Sequence, residues 1–171
     1  NWGVRLTLPA PPPRYKSPAQ RARVASEEWA ASELYCPNCS SDRLNPAPAN
    51  TQAIDYLCPG CPEQFQLKSQ SHPLRRKLMD AAYAAMKRKI ETEIAPNLVA
   101  LHYAREAWRV RTVILVPSFV FTLSLLERRR PLSRHARRAG WVGCNILLLN
   151  VPDNARIFLV REGEVIPKQA V

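Results

Sequence analysis

The stretch IDYLCPGCPEQFQLKSQ, residues 54–70, places a Cys-Pro-Gly-Cys turn between an acidic residue and a short segment of alternating polarity. Asp55 precedes the turn, and Phe65-Gln66-Leu67-Lys68 follows it. Side chains along a strand alternate between its two faces, so Gln66 and Lys68 are expected to share a polar face of one strand. This strand is predicted to be the element around which the rest of the fold is arranged.

A second Cys-x-x-C pair lies upstream of the first. Cys36 and Cys39 are separated by eighteen residues from Cys58 and Cys61. Two such pairs at this separation match a four-thiolate tetrahedral zinc site, and four sulfur ligands leave no position for water or substrate. The spacing therefore predicts a structural zinc ion. An iron-sulfur cluster also accepts four thiolates and stays open as an alternative. Cys144 stands alone and is expected to be a buried thiol.

The composition is that of one globular domain with a basic surface. The chain has 171 residues, of which 46% are apolar, and its formal net charge is +11. Such a charge favours a polyanionic partner, with nucleic acid as the first candidate. No apolar run is long enough to cross a bilayer, and we expect a cytoplasmic monomer. Residues 1–16, which are rich in proline, are predicted to be a flexible segment, followed by one domain over residues 17–171.

The hydrophobic pattern predicts an α/β protein with a mixed central sheet flanked by helices. Ser17 is a suitable N-cap for a helix over about residues 18–34, and residues 73–93 have an apolar stripe that predicts a second, amphipathic helix. Further strands are predicted at NLVALHYA, RVRTVILVP, WVGCNILLL and ARIFLV, with a turn at REGEV. The second of these strands is nearly continuous in β-branched and apolar residues and is expected to be central.

The polar residues around the Cys-Pro-Gly-Cys turn match a catalytic pattern. Nucleases that hold Mg²⁺ beside a scissile phosphate use a recurring spacing. An acid is followed, after about ten residues, by an acid or amide, and a lysine comes two positions later. Here these are Asp55, Gln66 and Lys68, with Asp55 and Gln66 as magnesium ligands and Lys68 stabilising the charge that develops on the phosphate.

Six blocks between about residues 15 and 165 carry a more specific likeness: YKSPAQRARVASEEW, YCPNCSSDRLN, DYLCPGCPEQFQLKS, DAAYAAMKRK, PLSRHARRAGWVGCNI and RIFLVREGEV. They resemble the catalytic domain of the DpnI-type methyl-directed restriction endonucleases, which include the Dam-replacing proteins. The resemblance implies a PD-(D/E)XK nuclease fold with a four-Cys zinc site, and Mg²⁺-dependent type II cleavage of double-stranded DNA at G-A-T-C sites containing 6-methyladenine. It also implies that Asp55 binds metal, that Lys68 is catalytic, and that the four paired cysteines bind zinc.

The sequence departs from the family pattern in two places. Gln66 stands where the family has Glu, which keeps a carbonyl oxygen but removes a negative charge. Glu63, or Glu27 or Glu28 on the first helix, is a candidate for the missing carboxylate. The family's C-terminal winged-helix domain is expected to be absent from residues 1–171. A DNA-binding module that has lost cleavage therefore stays open as an alternative, with a zinc-ribbon RNA-binding protein as a more distant one.

Two neighbouring stretches are candidates for DNA contact. RRRPLSRHARR, residues 128–138, has six arginines and is predicted to be a loop that binds phosphates. In RRAGWVGCN, Arg137 and Arg138 can hold phosphate or guanine, while Trp141 and Val142 offer an apolar surface for the methyl group of 6-methyladenine in the major groove. The alternative is that Trp141 is a core residue at the start of a strand.

Overall fold

The structure is a computed structural model that describes residues 3–39, 41–92 and 95–171, without the side chain of Ala81. Within these ranges the chain forms two α-helices, α1 (Pro18–Glu33) and α2 (Tyr83–Glu91). It also forms ten β-strands: β1 (Asn45–Pro46), β2 (Tyr56–Leu57), β3 (Gln64–Gln70), β4 (Lys77–Ala82), β5 (Asn97–Ala104), β6 (Arg109–Val116), β7 (Leu126–Arg128), β8 (Gly143–Leu147), β9 (Ile157–Arg161) and β10 (Glu164–Val165).

Helix α1 begins and ends close to the predicted positions. Ser17 caps it, because its Oγ accepts a hydrogen bond of 3.1 Å from the backbone N–H of Gln20. Pro18 occupies the first turn, where its missing N–H costs nothing. Neither α1 nor any other helix in the described residues is long and apolar enough to traverse a lipid bilayer.

The strands form a seven-stranded mixed sheet, in the order β1-β2-β3-β5-β6-β9-β10, and a three-stranded antiparallel sheet, in the order β4-β8-β7. The pair β3 and β5 is parallel, with Lys68 opposite Ala100, while the other pairs of the large sheet are antiparallel. The prediction of a mixed α/β protein with a central sheet is therefore confirmed, and β6 is central as expected. The three-stranded sheet was not predicted.

Residues on the two faces of the large sheet belong to two separate hydrophobic clusters. Val99 and Leu101 pack with α1, including the buried Trp29. Leu98 and Ala100, the alternate residues of the same strand, pack with α2 and the three-stranded sheet. The large sheet is thus covered on both faces, which explains the continuous apolar runs at residues 98–101 of β5 and 113–116 of β6.

The predicted amphipathic helix over residues 73–93 is wrong in its first half. Residues 77–82 form β4, and the helix begins only at Tyr83; residues 93 and 94 lie outside the described part of the chain. In β4, Leu78 and Asp80 are buried while Lys77 and Met79 are exposed, which is the period of a strand. Pairing with β8 fixes this conformation, and that partner is distant in the sequence.

The C-terminal strands follow the prediction with shorter bounds. The strand predicted at WVGCNILLL contains β8, which starts only at Gly143 and belongs to the three-stranded sheet. The predicted turn at REGEV joins β9 to β10. Glu162 and Gly163 both have positive φ, 48° and 84°, as in the two-residue hairpin turns that match the twist of the strands.

The proline-rich segment predicted as flexible contributes to the core in its described part. Leu8 is buried, and its N–H donates to the carbonyl of Trp108 over 2.9 Å. The indole N–H of Trp29 donates to the carbonyl of Arg5 over 2.6 Å. Residues 5–8 therefore lie against both α1 and the start of β6, although the sequence places them before the predicted domain boundary.

Candidate active site and metal centre

The four paired cysteines converge on one point between the end of α1 and the start of β3. Their Sγ atoms all lie within 4.8 Å of one another, with Cys36 and Cys61 at 3.6 Å and Cys39 and Cys58 at 3.4 Å. Tetrahedral Zn–S bonds of about 2.3 Å require sulfur separations of about 3.8 Å, so the donor set fits a zinc ion. The cluster can hold a metal such as zinc through four sulfur atoms. Cys144 lies outside it, fully buried as predicted.

Hydrogen bonds to sulfur orient the two Cys-x-x-C turns. Backbone N–H groups of Ser41 and Gly60 donate to Cys39 Sγ and Cys58 Sγ, each over 3.4 Å. Burial opposes ionisation of Cys58, but hydrogen bonds with Ser41, Gly60, Cys39 and Cys61 outweigh it and lower the pKa of the Cys58 thiol to about 6. Burial raises the pKa of the Cys36 thiol to about 12. Without metal, the fold therefore favours the thiolate, the form that binds metal, at Cys58 and not at Cys36.

The Cys-Pro-Gly-Cys turn also fixes the strand that carries the predicted catalytic residues. The N–H of Cys58 donates to the carbonyl of Glu63 over 3.0 Å and closes the turn between β2 and β3. Strand β2 pairs with Gln64 and Phe65, and among the described residues no strand pairs with this edge of β3 beyond Phe65. A metal bound by the four cysteines would thus hold the start of β3, while the backbone of its next residues is left without a strand partner at this edge.

Asp55 lies at this open edge of β3. Its backbone N–H donates to the carbonyl of Phe65 over 2.8 Å, and its Oδ2 accepts from the backbone N–H of Leu67 over 2.7 Å. Asp55 and Lys68 line one cavity of about 380 Å³, together with Glu27, Arg23 and Ser69. The structure therefore brings two of the three predicted catalytic residues, Asp55 and Lys68, to one cavity.

The carboxylates of this cavity are held in an environment that disfavours their charge. Burial raises the pKa of Asp55, an effect opposed by the Leu67 N–H and by Lys68 and reinforced by the charge of Asp80. Burial also raises the pKa of Glu27, which the charge of Asp55 raises further. A carboxylate whose ionisation is disfavoured beside other acids is a typical feature of sites that bind a cation.

The third predicted residue, Gln66, does not line this cavity and instead contacts β4. Its side chain is buried, and its Nε2 donates to Oδ1 of Asp80 over 2.6 Å. Lys68 Nζ lies 3.2 Å from the same oxygen. The polar face predicted for β3 therefore faces Asp80 at positions 66 and 68.

Asp80 was not among the predicted site residues. It lies within residues 73–93, which were predicted to be an amphipathic helix, and an acid outside the apolar stripe of such a helix is ordinary. Residues 77–80 are Lys-Leu-Met-Asp, which do not alternate in polarity, so no local signal placed Asp80 on the buried face of a strand.

The glutamates considered as replacements for a carboxylate at position 66 lie in different places. Glu63 Oε2 accepts a hydrogen bond of 2.7 Å from Asn97 Nδ2. Glu27 and Glu28 both line a second cavity, of about 400 Å³, that includes Asp55. Of the three, Glu27 is the one that shares a cavity with Lys68.

The arginine-rich stretch is an irregular loop between β7 and β8, as predicted. Hydrogen bonds from Arg129 N–H to the carbonyl of Gly143, over 3.0 Å, and from Leu132 N–H to that of Trp141, over 2.9 Å, hold its two ends together. The strand register places Asp80 opposite Cys144, and Cys144 opposite Arg128. The loop therefore begins directly after Arg128, which lies across β8 from Asp80.

The predicted DNA-contacting residues lie in this loop. Arg137 and Arg138 are exposed, and Trp141 and Val142 are half-buried and belong to neither hydrophobic cluster. The Arg138 guanidinium carbon lies 4.6 Å from the centre of the Trp141 ring. A β-carbon at Gly143 would come within 2.7 Å of Trp141 Cζ3, so glycine is required for the indole to lie against the backbone.

A cation-lined cavity that the sequence analysis missed lies on the same face of the large sheet as Lys68. It measures about 400 Å³, and four arginines line it with His102: Arg75, Arg111, Arg156 and Arg161. His102 lies opposite Gln70 on the neighbouring strand, and Gln70 is two residues after Lys68 in β3. These arginines come from separate segments, so no run in the sequence indicated the cavity.

The chain matches one family of known proteins over nearly its whole length. The model of the DpnI family, described as the Dam-replacing family, matches residues 12–171. The chain belongs to this family, which indicates a methylation-dependent restriction endonuclease that binds DNA.

Proposed function

We propose that this member of the Dam-replacing family is a Mg²⁺-dependent type II endonuclease that cleaves double-stranded DNA at G-A-T-C sites containing 6-methyladenine. The observation that supports it best is the placement of Asp55 and Lys68 in one cavity at the open edge of β3. A strand edge that presents an acid and a lysine is the working part of a PD-(D/E)XK nuclease, and we assign the fold to that class. The G-A-T-C site and the methylated adenine rest on the family resemblance.

Oxygen donors in and beside the cavity suit a hard cation. Asp55 offers a carboxylate within the cavity. Beside it, the buried Oε1 of Gln66 has no hydrogen-bond partner within the described residues. Oxygen donors of this kind are the ligands that Mg²⁺ prefers, and a buried oxygen without a partner is costly unless a cation or water satisfies it. When bound, Mg²⁺ would polarise the phosphate and lower the pKa of a coordinated water.

The residues of the chain then have separate tasks in hydrolysis. A water oxygen forms a bond to phosphorus, the bond from phosphorus to the leaving sugar oxygen breaks, and the water's proton is released while the leaving oxygen gains one. Lys68 stabilises the negative charge that grows on the phosphoryl oxygens, because its ammonium group is held in place before the reaction begins. The Lys68 side chain is 29% exposed to solvent, so its ammonium group can reach a substrate.

Contacts with DNA are assigned to the basic loop and the arginine-lined cavity. The loop begins after Arg128, which lies across β8 from Asp80. Arg137 and Arg138 are exposed and can contact phosphates or guanine edges. Trp141 and Val142 are proposed to contact the adenine methyl group. The four-Cys cluster is proposed to hold structural zinc, and the chain is proposed to act in the cytoplasm as a monomer.

The test uses plasmid DNA prepared with and without adenine methylation at G-A-T-C, incubated with Mg²⁺ or with EDTA. We expect cleavage only of methylated plasmid with Mg²⁺. Mapping the ends should place every cut at G-A-T-C. Cleavage that ignores methylation would contradict the assigned specificity.

The alternative of a DNA-binding module without cleavage is favoured by one observation, the amide at position 66. It predicts selective binding of methylated plasmid and intact DNA at every Mg²⁺ concentration. The same plasmids in a gel-shift assay with Ca²⁺, which suits oxygen ligands, separate binding from cleavage.

A further inference from the structure

We propose that Asp80 is the second acidic ligand of the divalent-cation site and supplies the charge that Gln66 does not carry. The inference rests on the proposed nuclease function and assigns to that site a residue on a different strand from the Gln66-x-Lys68 motif. The carboxylate would thus have moved from β3 to β4, while the site as a whole keeps its charge.

The position of Asp80 is unusual for an acid. The side chain has 0% exposure, in a strand whose neighbouring cluster is apolar. Burying a carboxylate is costly unless it is paired, and replacing a buried pair with apolar residues often costs nothing. Stability alone therefore gives little reason for an acid here, whereas binding a cation does.

Its contacts tie Asp80 to both residues of the predicted motif. One oxygen, Oδ1, accepts a hydrogen bond of 2.6 Å from Gln66 Nε2 and lies 3.2 Å from Lys68 Nζ. A carboxylate in place of Gln66 would lie next to Asp80, and two adjacent buried carboxylates repel each other. The amide at position 66 and the acid at position 80 are therefore complementary, since the amide N–H donates to the carboxylate.

The other end of the Gln66 amide supports the same conclusion. While Nε2 donates to Asp80, Oε1 is buried and has no hydrogen-bond partner among the described residues. An acceptor without a partner beside a buried carboxylate marks a place for a donor or a cation. The amide oxygen and the carboxylate of Asp80 are both oxygen donors for Mg²⁺.

Asp55 completes the set from the edge of β3. It lines one cavity with Lys68, whose ammonium group lies 3.2 Å from Oδ1 of Asp80. Lys68 thus links the two carboxylates. When both are ionised, its single positive charge leaves one net negative charge at the site, which favours binding of a cation.

The experiment measures Mn²⁺ binding by electron paramagnetic resonance in the zinc-loaded protein without DNA, and cleavage of methylated plasmid separately. We expect Asp80→Asn to weaken Mn²⁺ binding by at least about tenfold, and to slow cleavage by about 100-fold or more. The double variant Gln66→Glu with Asp80→Asn returns the carboxylate to β3, and we expect it to regain most of the Mn²⁺ affinity and of the cleavage. Glu127→Gln is the matched control, an acid-to-amide change on β7 of the same small sheet, and should match the parent.

Two outcomes would overturn the proposal. If Asp80 only positions Lys68, Asp80→Asn will lose cleavage but bind Mn²⁺ as tightly as the parent. If Asp80→Asn fails to fold, the double variant decides alone, and a folded double variant that does not bind Mn²⁺ contradicts the inference. A parent protein that cuts no DNA would sink the proposed function, yet the Mn²⁺ titrations would still report on Asp80.

Discussion

Lys68 Nζ lies 3.2 Å from Oδ1 of Asp80, and the two residues belong to different sheets. The ammonium group proposed to act on the phosphate is therefore held by a residue whose position depends on how β4 pairs with β8. Packing of the small sheet against the large one thus positions the side chain that we propose to be catalytic. The Cys-Pro-Gly-Cys turn holds the other end of the same strand, at the start of β3.

Zinc is expected to hold the start of β3 in place. Purified protein should contain about one zinc per chain, and Cys58→Ser should lose it and melt at a much lower temperature, because structural zinc contributes directly to the free energy of folding. Elemental analysis and thermal melting check both points. Cys144→Ala is the control, since Cys144 is buried outside the cluster, and it should keep its zinc. A Cys58→Ser protein with full zinc would contradict the assignment.

Lys68→Ala should lower the rate of plasmid cleavage by about 100-fold to 1,000-fold, the usual cost of removing one group aimed at transition-state charge. Affinity for DNA should change little, since one lysine among 25 basic residues adds little to phosphate attraction. Single-turnover cleavage and filter binding at fixed salt measure the two effects. Lys77→Ala, an exposed lysine on β4, should leave both unchanged. Cleavage at the parental rate by the Lys68 variant would refute its catalytic role.

The raised pKa of Asp55 predicts how stability varies with pH when Mg²⁺ is absent. Because the folded-state pKa lies above the unfolded one, the protonated form is favoured in the folded state. This stabilisation is present below the unfolded pKa of about 4 and is lost as pH rises through the folded value. Asp55→Asn should therefore melt at a higher temperature than the parent at pH 7 when both are zinc-loaded and Mg²⁺ is absent, with a difference that shrinks towards pH 4.

Calorimetry of the zinc-loaded proteins, dialysed free of Mg²⁺ and without a chelator, tests this expectation across that range, with Glu106→Gln, at an exposed turn, as the control. The same variant should lose cleavage, because an amide cannot replace the charge of Asp55 towards Mg²⁺. An Asp55→Asn protein that is less stable than the parent at pH 7 would show that folding does not disfavour the ionised form of Asp55.

Trp141→Ala should remove the preference for methylated DNA while leaving a folded, zinc-loaded protein that still binds DNA. A buried methyl group is worth on the order of 1 kcal/mol, so two methyl groups in one palindrome give discrimination of about 30-fold at most. Competition binding between methylated and unmethylated duplexes at fixed salt measures the loss. Phe119→Ala, which removes an aromatic ring with 85% exposure, is the control. Unchanged discrimination in the Trp141 variant would place the methyl contact elsewhere.

Much of the fold was predicted from local patterns. The cap at Ser17, the two Cys-x-x-C turns and the apolar strand β6 each depend on residues close together in the sequence, and each is where the pattern indicated. The turn at Glu162 and Gly163 belongs to the same group, because two-residue hairpins are decided by the turn residues themselves. Asp55 and Lys68 reach one cavity because the Cys-Pro-Gly-Cys turn folds the chain back between them.

The sequence by itself therefore determined the four-sulfur site, the first helix, the mixed sheet and the motif on β3. Only the tertiary structure decided that residues 77–82 are a strand, since their local pattern favours a helix and pairing with β8, with Asp80 opposite Cys144, overrides it. The same pairing brings Asp80 to Gln66 and Lys68, and no local pattern contains that contact. The arginine-lined cavity is decided in the same way, because sheet register gathers side chains that lie far apart in the chain.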